Sequence, residues 1–230
     1  MAQAQWTGKA ELGILSSTGN TEAKSANTRL DLTREGLKWD NNFGFAAQYG
    51  ENAEFSTAER YEARWQSDFK ITNRFSWFVG LRGEQDRFSG FANQITASTG
   101  AGFKLIESPA TQLAASLGAG YRRAKLATLI KTAAGEVIDR IEGEIDNEPV
   151  VIFNSTFVHS FNDTTKLSNK MLAEAGSDNT FVQNDIQLSV SMTKTLALAV
   201  GLGVRYNSDP PPLSETTDTL TTVNLVYNIE

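Results

Sequence analysis

The sequence predicts an all-β protein, a transmembrane antiparallel up-and-down β-barrel of about 12 strands. Short periplasmic turns and longer extracellular loops would join the strands, in one domain spanning residues 1–230. Three observations lead there. Apolar and polar residues alternate along nearly the whole chain, the mark of strands with two unlike faces. The alternating segments run to roughly ten residues, the length of a tilted membrane-spanning strand rather than the five or six of a soluble one. Aromatic residues on the apolar face gather at strand ends, as the two interfaces of a bilayer require.

The first strand is WTGKAELGIL, in which Trp6, Gly8, Ala10, Leu12 and Ile14 alternate with Thr7, Lys9, Glu11 and Gly13. The second sets Ala26, Thr28, Leu30 and Leu32 against Asn27, Arg29, Asp31 and Thr33. After a tight turn at Arg34-Glu35-Gly36, the third runs from Leu37 through Trp39, Phe43, Phe45 and Ala47 to Tyr49. The fourth opposes Tyr61, Ala63, Trp65 and Phe69 to Arg60, Glu62, Arg64, Gln66 and Asp68. The fifth opposes Phe75, Trp77, Val79 and Leu81 to Phe78, Gly80, Arg82 and Glu84. The sixth and seventh cover about Gln94–Leu105 and Gln112–Arg122. The eighth, near Val151–Phe161, is apolar on both faces at VVIF. The last four centre on Leu167–Ala173, Ile186–Met192, Leu196–Tyr206 and Thr221–Ile229. Connections alternate between short (REG, KITN, ESPA, NDTT, TKT) and long, the longest being Lys125–Pro149. A Greek-key sandwich gives no reason for such parity.

Bulk properties narrow the classes. No apolar run approaches the ~18 residues of a helical span, and mean hydropathy is −0.31. Cysteine is absent, which excludes disulfides and thiolate metal sites. A net charge of −6 and a pI near 5.0 argue against nucleic acid as a partner. Met1 is followed by AQAQW without a basic or apolar leader region, so the chain reads as a mature sequence with a starting Met, destined for the bacterial outer membrane.

In a barrel, the polar face lines the lumen. Lys9, Glu11, Arg29, Asp31, Arg60, Glu62, Arg64, Arg82, Glu84, Lys104 and Arg122 then point inward, with the two signs nearly balanced. Either they form a salt-bridge lattice that stiffens the barrel, or they line a pore that orients solutes; balance argues against a strongly ion-selective filter. The aromatic girdles comprise Trp6, Trp39, Trp65, Trp77 and Tyr227 with Tyr49, Tyr61, Tyr121 and Tyr206, and Phe91 joins the outer one. The pairs in TGAGF, LGAGY and VGLGV put Gly100, Gly102, Gly118, Gly120, Gly201 and Gly203 on the lumen side. They make room for bulky neighbours such as Phe78 and Arg82, or leave a bare patch for the Lys125–Pro149 loop to cover. They are not nucleotide fingerprints, since no helix follows and the third glycine is missing.

Catalytic and metal signals are weak, so neither an enzyme nor a cofactor is expected. The single histidine, His159, falls on the lipid-facing register near a short turn, which suits a packing role. The acidic string Glu136, Asp139, Glu142, Glu144, Asp146 and Glu148 lacks the EF-hand pattern and reads as a solvated loop. In Asp86-Arg87-Phe88-Ser89-Gly90-Phe91, Gly90 would turn the chain while Asp86 and Arg87 pair with loop neighbours; the alternative is a ligand-contact loop at the mouth.

Four segments in this order, LSSTGNTEAKS, RYEARWQSDFKITNRFSW, DRFSGF and YNSDPPPLSETTDTLTTVNLVY, resemble the YdiY-like "salt-induced outer membrane protein" family. The resemblance covers essentially the whole chain. It implies a Gram-negative outer-membrane barrel in contact with outer-membrane lipid and, during biogenesis, with the assembly machinery. It supplies no catalytic residues. Such barrels usually end in an aromatic residue, whereas this chain ends Tyr227-Asn228-Ile229-Glu230. Function then divides between a channel or leak for small solutes or ions, linked to salt or envelope stress, and a closed structural barrel with a plugged lumen; a third reading is a soluble β-barrel binding protein.

Overall fold

Strict alternation can hide its polar residues from lipid only if the sheet closes on itself, and it does. The computed structural model describes residues 5–17, 23–52, 55–132, 137–212 and 214–229. Its twelve strands are β1 (Trp6–Ser17), β2 (Ala23–Arg34), β3 (Trp39–Asn52), β4 (Ser56–Lys70), β5 (Phe75–Asp86) and β6 (Phe91–Glu107), followed by β7 (Thr111–Lys131), β8 (Val137–Ser160), β9 (Thr165–Ala175), β10 (Thr180–Ser191), β11 (Leu196–Asn207) and β12 (Thr217–Ile229). Each pairs antiparallel with its sequence neighbours, and β1 meets β12 to close the barrel. That closing seam is short, Gly8–Leu12 against Leu225–Ile229. Closure leaves no free edge within the wall, the condition for a sheet to cross hydrocarbon.

The outer face is apolar. Ile14, Leu117 and Val223 stand more than half exposed, as do few residues of a soluble core. Aromatics rim this band. At the end bearing the short turns, Trp6 packs on Phe43 at 5.9 Å, Trp39 on Phe69 at 5.0 Å and Phe75 on Phe103 at 5.1 Å. Trp77 and Tyr227 are exposed on the same side, and Tyr49, Tyr61, Tyr121 and Tyr206 on the other. Trp65 also faces outward, set between Phe43 and Leu81 on the neighbouring strands. His159 lies in the turn-side belt, its ring parallel to Phe157 and edge-on to Phe161, its Nδ1 2.8 Å from the Thr111 hydroxyl. No helix among the described residues is long and apolar enough to cross a membrane; the crossing is made by strands.

Two expectations are corrected. Lys125–Pro149 is no loop: β7 and β8 continue through it as a two-stranded ribbon beyond the barrel wall. Register shifts at Lys125/Ala127 and Ile130/Lys131 break the alternation that would have marked it as strand. The ribbon leans on the β5–β6 turn, where the Ala127 amide donates to the Gly90 carbonyl at 2.8 Å and Arg140 Nη1 to the Asp86 carbonyl at 3.3 Å. It leaves the glycine wall uncovered. Phe91, in turn, is buried rather than part of the outer girdle, because a bulge between Phe91 and Asn93 rotates it out of register. Most of the other long connections also shorten as strands grow into them, leaving 208–216 as the long excursion between β11 and β12. The third strand starts at Trp39, and Leu37 sits in the preceding turn, almost fully exposed.

Candidate functional site in the barrel lumen

Inward-facing positions of β4, β5, β7, β8, β9 and β11 carry arginines and carboxylates that meet in one layer toward the loop end. Glu84 lies at its centre. It accepts from Arg82 and Arg205 and lies 3.4 Å from Arg60 Nε. Arg60 also binds Glu62 at 2.5 Å, and Arg205 reaches Asp86 at 3.3 Å. Arg82 and Arg122 approach Glu174 at 3.6 and 3.8 Å, and Arg122 pairs with Glu148. The Phe181 ring, 1% exposed, lies against the Arg82 guanidinium at 4.7 Å and that of Arg205 at 5.1 Å. An aromatic face is attractive to a desolvated guanidinium, so the ring adds a favourable contact to two cations that share Glu84.

Loops roof this layer. Asp86 accepts the amides of Phe88 and Ser89 at 2.9 and 3.2 Å, forming the tight β5–β6 turn, while Arg87 pairs with Glu59 at 3.3 Å. Gly90 of that turn meets Pro211 and Ser214 of the β11–β12 excursion, and a Cβ there would stand 2.5 Å from Pro211 Cδ. On the other side, Glu148 accepts the Asp178 amide at 3.0 Å, and Asn179 donates to Asn207 Oδ1 at 3.0 Å. These bonds tie the β9–β10 and β11–β12 connections together.

Below the layer the lumen opens into a cavity of about 630 Å³, which reaches from Arg82 and Glu174 down to Thr72, Asn73 and Arg74 in the β4–β5 turn. Within it, Asp31 on β2 binds two cations, Arg64 from β4 and Lys170 from β9, the latter at 2.8 Å. Gly44 makes the first contact possible. It sits on β3 directly between the two, paired with Asp31 on one side and Arg64 on the other. A Cβ at Gly44 would collide with the Arg64 side chain, whose Cγ is 2.6 Å away. The same device recurs at Gly13, over which Asn27 Nδ2 donates to Asn224 Oδ1 at 3.1 Å. On the opposite wall a Cβ at Gly118 would lie 2.9 Å from the tip of Phe78, and one at Gly120 2.7 Å from Ile152 Cδ1. The bare glycine patch is thus filled by neighbouring side chains.

The remaining inward charges divide between these regions. Arg29 lies 3.5 Å from Asp185. Glu11 is buried and accepts amide hydrogens from Gln187 at 2.9 Å and Asn224 at 3.1 Å, beside a separate cavity of about 70 Å³. Lys9, half-buried, stands opposite Asp31 in register. Lys104 sits at the turn-end rim, bonded to Glu107 at 3.1 Å with both side chains half exposed. Sequence reasoning missed Lys170, Glu174, Phe181, Asp185 and Arg205. Phe181 precedes the tenth strand as read from the sequence, centred on Ile186–Met192. Arg205 continues the inward parity of Gly201 and Gly203 and was there to be found.

Among the described residues, no group of three or more acidic, histidine or cysteine side chains could hold a metal ion. The site is a charge-lined lumen in a twelve-stranded transmembrane barrel, which defines a porin-like class of architecture. The structure resembles the NanC porin, with a TM-score of 0.52 at 9% identity over 97% of this chain and 100% of that one. It also resembles the KdgM porin, with a TM-score of 0.45 at 11% identity over 98% of this chain and 100% of that one. The chain belongs to the family described as "Protein of unknown function, DUF481", whose model matches residues 10–229. A relative, "Uncharacterized protein YdiY" of Escherichia coli (strain K12), is 23% identical over 99% of this chain and 85% of its own length.

Proposed function

We propose that this protein is a bacterial outer-membrane barrel that passes small solutes or ions through a narrow, charge-lined lumen, with its short turns in the periplasm and the β7–β8 ribbon outside. The observation that carries the reading is the open cavity, which occupies the turn half and ends at one layer of side chains. A side-chain layer, unlike a folded-in domain, can part by rotamer changes. In this reading the protein does no covalent chemistry. The link to salt or envelope stress implied by the family resemblance would act on how many such pathways the membrane holds. During biogenesis the assembly machinery would engage β12, whose Tyr227 faces outward.

Planar-bilayer recording of the refolded protein tests the proposal. Wild type is expected to give small, brief conductance steps, and Arg82→Ala/Glu84→Ala to enlarge them by removing a cation and an anion together. Silence from both, with each shown to be folded by its shifted mobility when unboiled, would overturn the channel. It would favour a second reading, the closed structural barrel. Mutual neutralisation of the buried Arg82, Glu84, Arg122, Glu148 and Glu174 speaks for that one.

A further inference from the structure

The two halves of the lumen treat their cations differently. In the upper layer each guanidinium is matched by carboxylates and shut away from water; the Arg122 and Arg82 side chains are 2% and 9% exposed. In the cavity, Arg64 and Lys170 keep 39% and 32% of their side-chain surface open. They share one carboxylate, Asp31, which leaves the trio with a surplus positive charge. Nearby acids are already engaged: Asp185 faces Arg29, Asp40 binds Lys70 at 2.7 Å, and Glu62 binds Arg60. Asp68, which has no cation, is held by the side-chain amides of Asn42 at 3.2 Å and Gln66 at 3.0 Å. Lys170 gives one of its three N–H groups to Asp31, so two remain to donate.

The wall that adjoins Lys170, whose register partner on β8 is Thr156, has a different character. Along β6, β7 and β8 its cavity-lining side chains are mainly neutral hydrogen-bonding groups, namely Ser98, Gln112, Ser116, Asn154 and Thr156, interspersed with Gly102 and Ala114, while Lys104 at the rim is bonded to Glu107. The cavity volume of about 630 Å³ falls in the range of small-molecule sites. A ligand that spans both groups carries one negative group for Arg64 and Lys170 and several hydroxyls for the adjoining Ser, Asn and Thr side chains. We propose that the turn half of the lumen is a binding site for a small hydroxylated carboxylate, a sugar acid in chemical class. Arg64 and Lys170 hold the carboxylate through charge-assisted hydrogen bonds. Ser116, Asn154 and Thr156 take the hydroxyls. The site deepens the solute-pathway reading and rests on it for the ligand's route through the membrane, but equilibrium binding requires only the folded barrel.

Isothermal titration of the detergent-folded protein with gluconate, acetate and sorbitol is the test, run beside planar-bilayer conductance. Gluconate is expected to bind more tightly than either partial mimic. Lys170→Gln and Arg64→Gln should each weaken it about tenfold, the loss of one charge-assisted contact. Asn154→Val, which leaves every charge in place, should weaken gluconate but not acetate, and it guards against reading a folding defect as lost binding. Acetate equalling gluconate would overturn the hydroxyl wall, and unchanged affinity in both charge variants would overturn the site. No gluconate heat from a protein that conducts ions would refute this inference alone. Binding by a silent barrel would uphold the site while refuting the channel.

Discussion

The loop half and the turn half of the lumen are built from the same residue types to different ends. In the loop half, four arginines, five carboxylates and the Phe181 ring exclude water and close on one another. In the turn half, Asp31, Arg64 and Lys170 stand around open space. Charge count does not separate the two regions; access of water does. A dry, mutually satisfied charge lattice is costly to breach because removal of one member leaves its partners buried and unpaired, whereas a wet pair is screened and easily replaced.

That contrast is broken most forcefully at Glu84. Glu84→Gln keeps the shape but strips the shared charge from Arg60, Arg82 and Arg205, and is expected to destabilise the barrel by about 3–5 kcal/mol. Urea unfolding in lipid vesicles, followed by tryptophan fluorescence, measures it; a loss below 1 kcal/mol would mean the layer is hydrated. A smaller effect, about 1–2 kcal/mol, is expected in the same assay for Phe181→Leu, which retains an apolar side chain but loses the ring contact with two guanidiniums. In the turn half, Lys170→Met should cost no more than about 1 kcal/mol, since its ammonium is partly solvated. A cost equal to that of Glu84→Gln would erase the distinction between halves.

The smallest effect lies outside the membrane, on the ribbon. There a hydrogen bond from Lys125, reinforced by its charge, holds the Glu142 carboxyl below its ordinary value. A carboxyl depressed in the folded state lends stability above its unfolded pKa and loses it as pH falls through the folded one. Amides of the ribbon, corrected for intrinsic rate, should therefore exchange faster below the usual carboxylate range than at neutrality. Glu142→Gln should abolish that difference.

How much of this was legible follows from what alternation can encode. A period of two separates lumen from lipid, so Arg29, Arg64, Arg82 and Arg122 could be assigned a face from β2, β4, β5 and β7 alone. It fails where the backbone slips by one residue, as at Phe91 and at Lys125/Ala127, because a bulge exchanges the faces. Nor can it state partners across the barrel. Lys170 and Asp31 are far apart in sequence and on nearly opposite walls, and only closure of β1 on β12 brings them together. The wet–dry division was invisible for the same reason: it depends on which connections fold over the mouth, and the 208–216 excursion carries no periodic signal.

Gly44 has one more consequence. An arginine that lies flat across a neighbouring strand can do so only while that strand offers hydrogen instead of carbon. Side-chain volume on β3 therefore acts as an electrostatic control on β2 and β4, although glycine and alanine are both uncharged. Drift of this lumen toward a new solute would not require a change of charge at all. One methyl group at position 44 would lift Arg64 from Asp31 and swing a guanidinium into the cavity, turning a steric substitution into a gain of free positive charge.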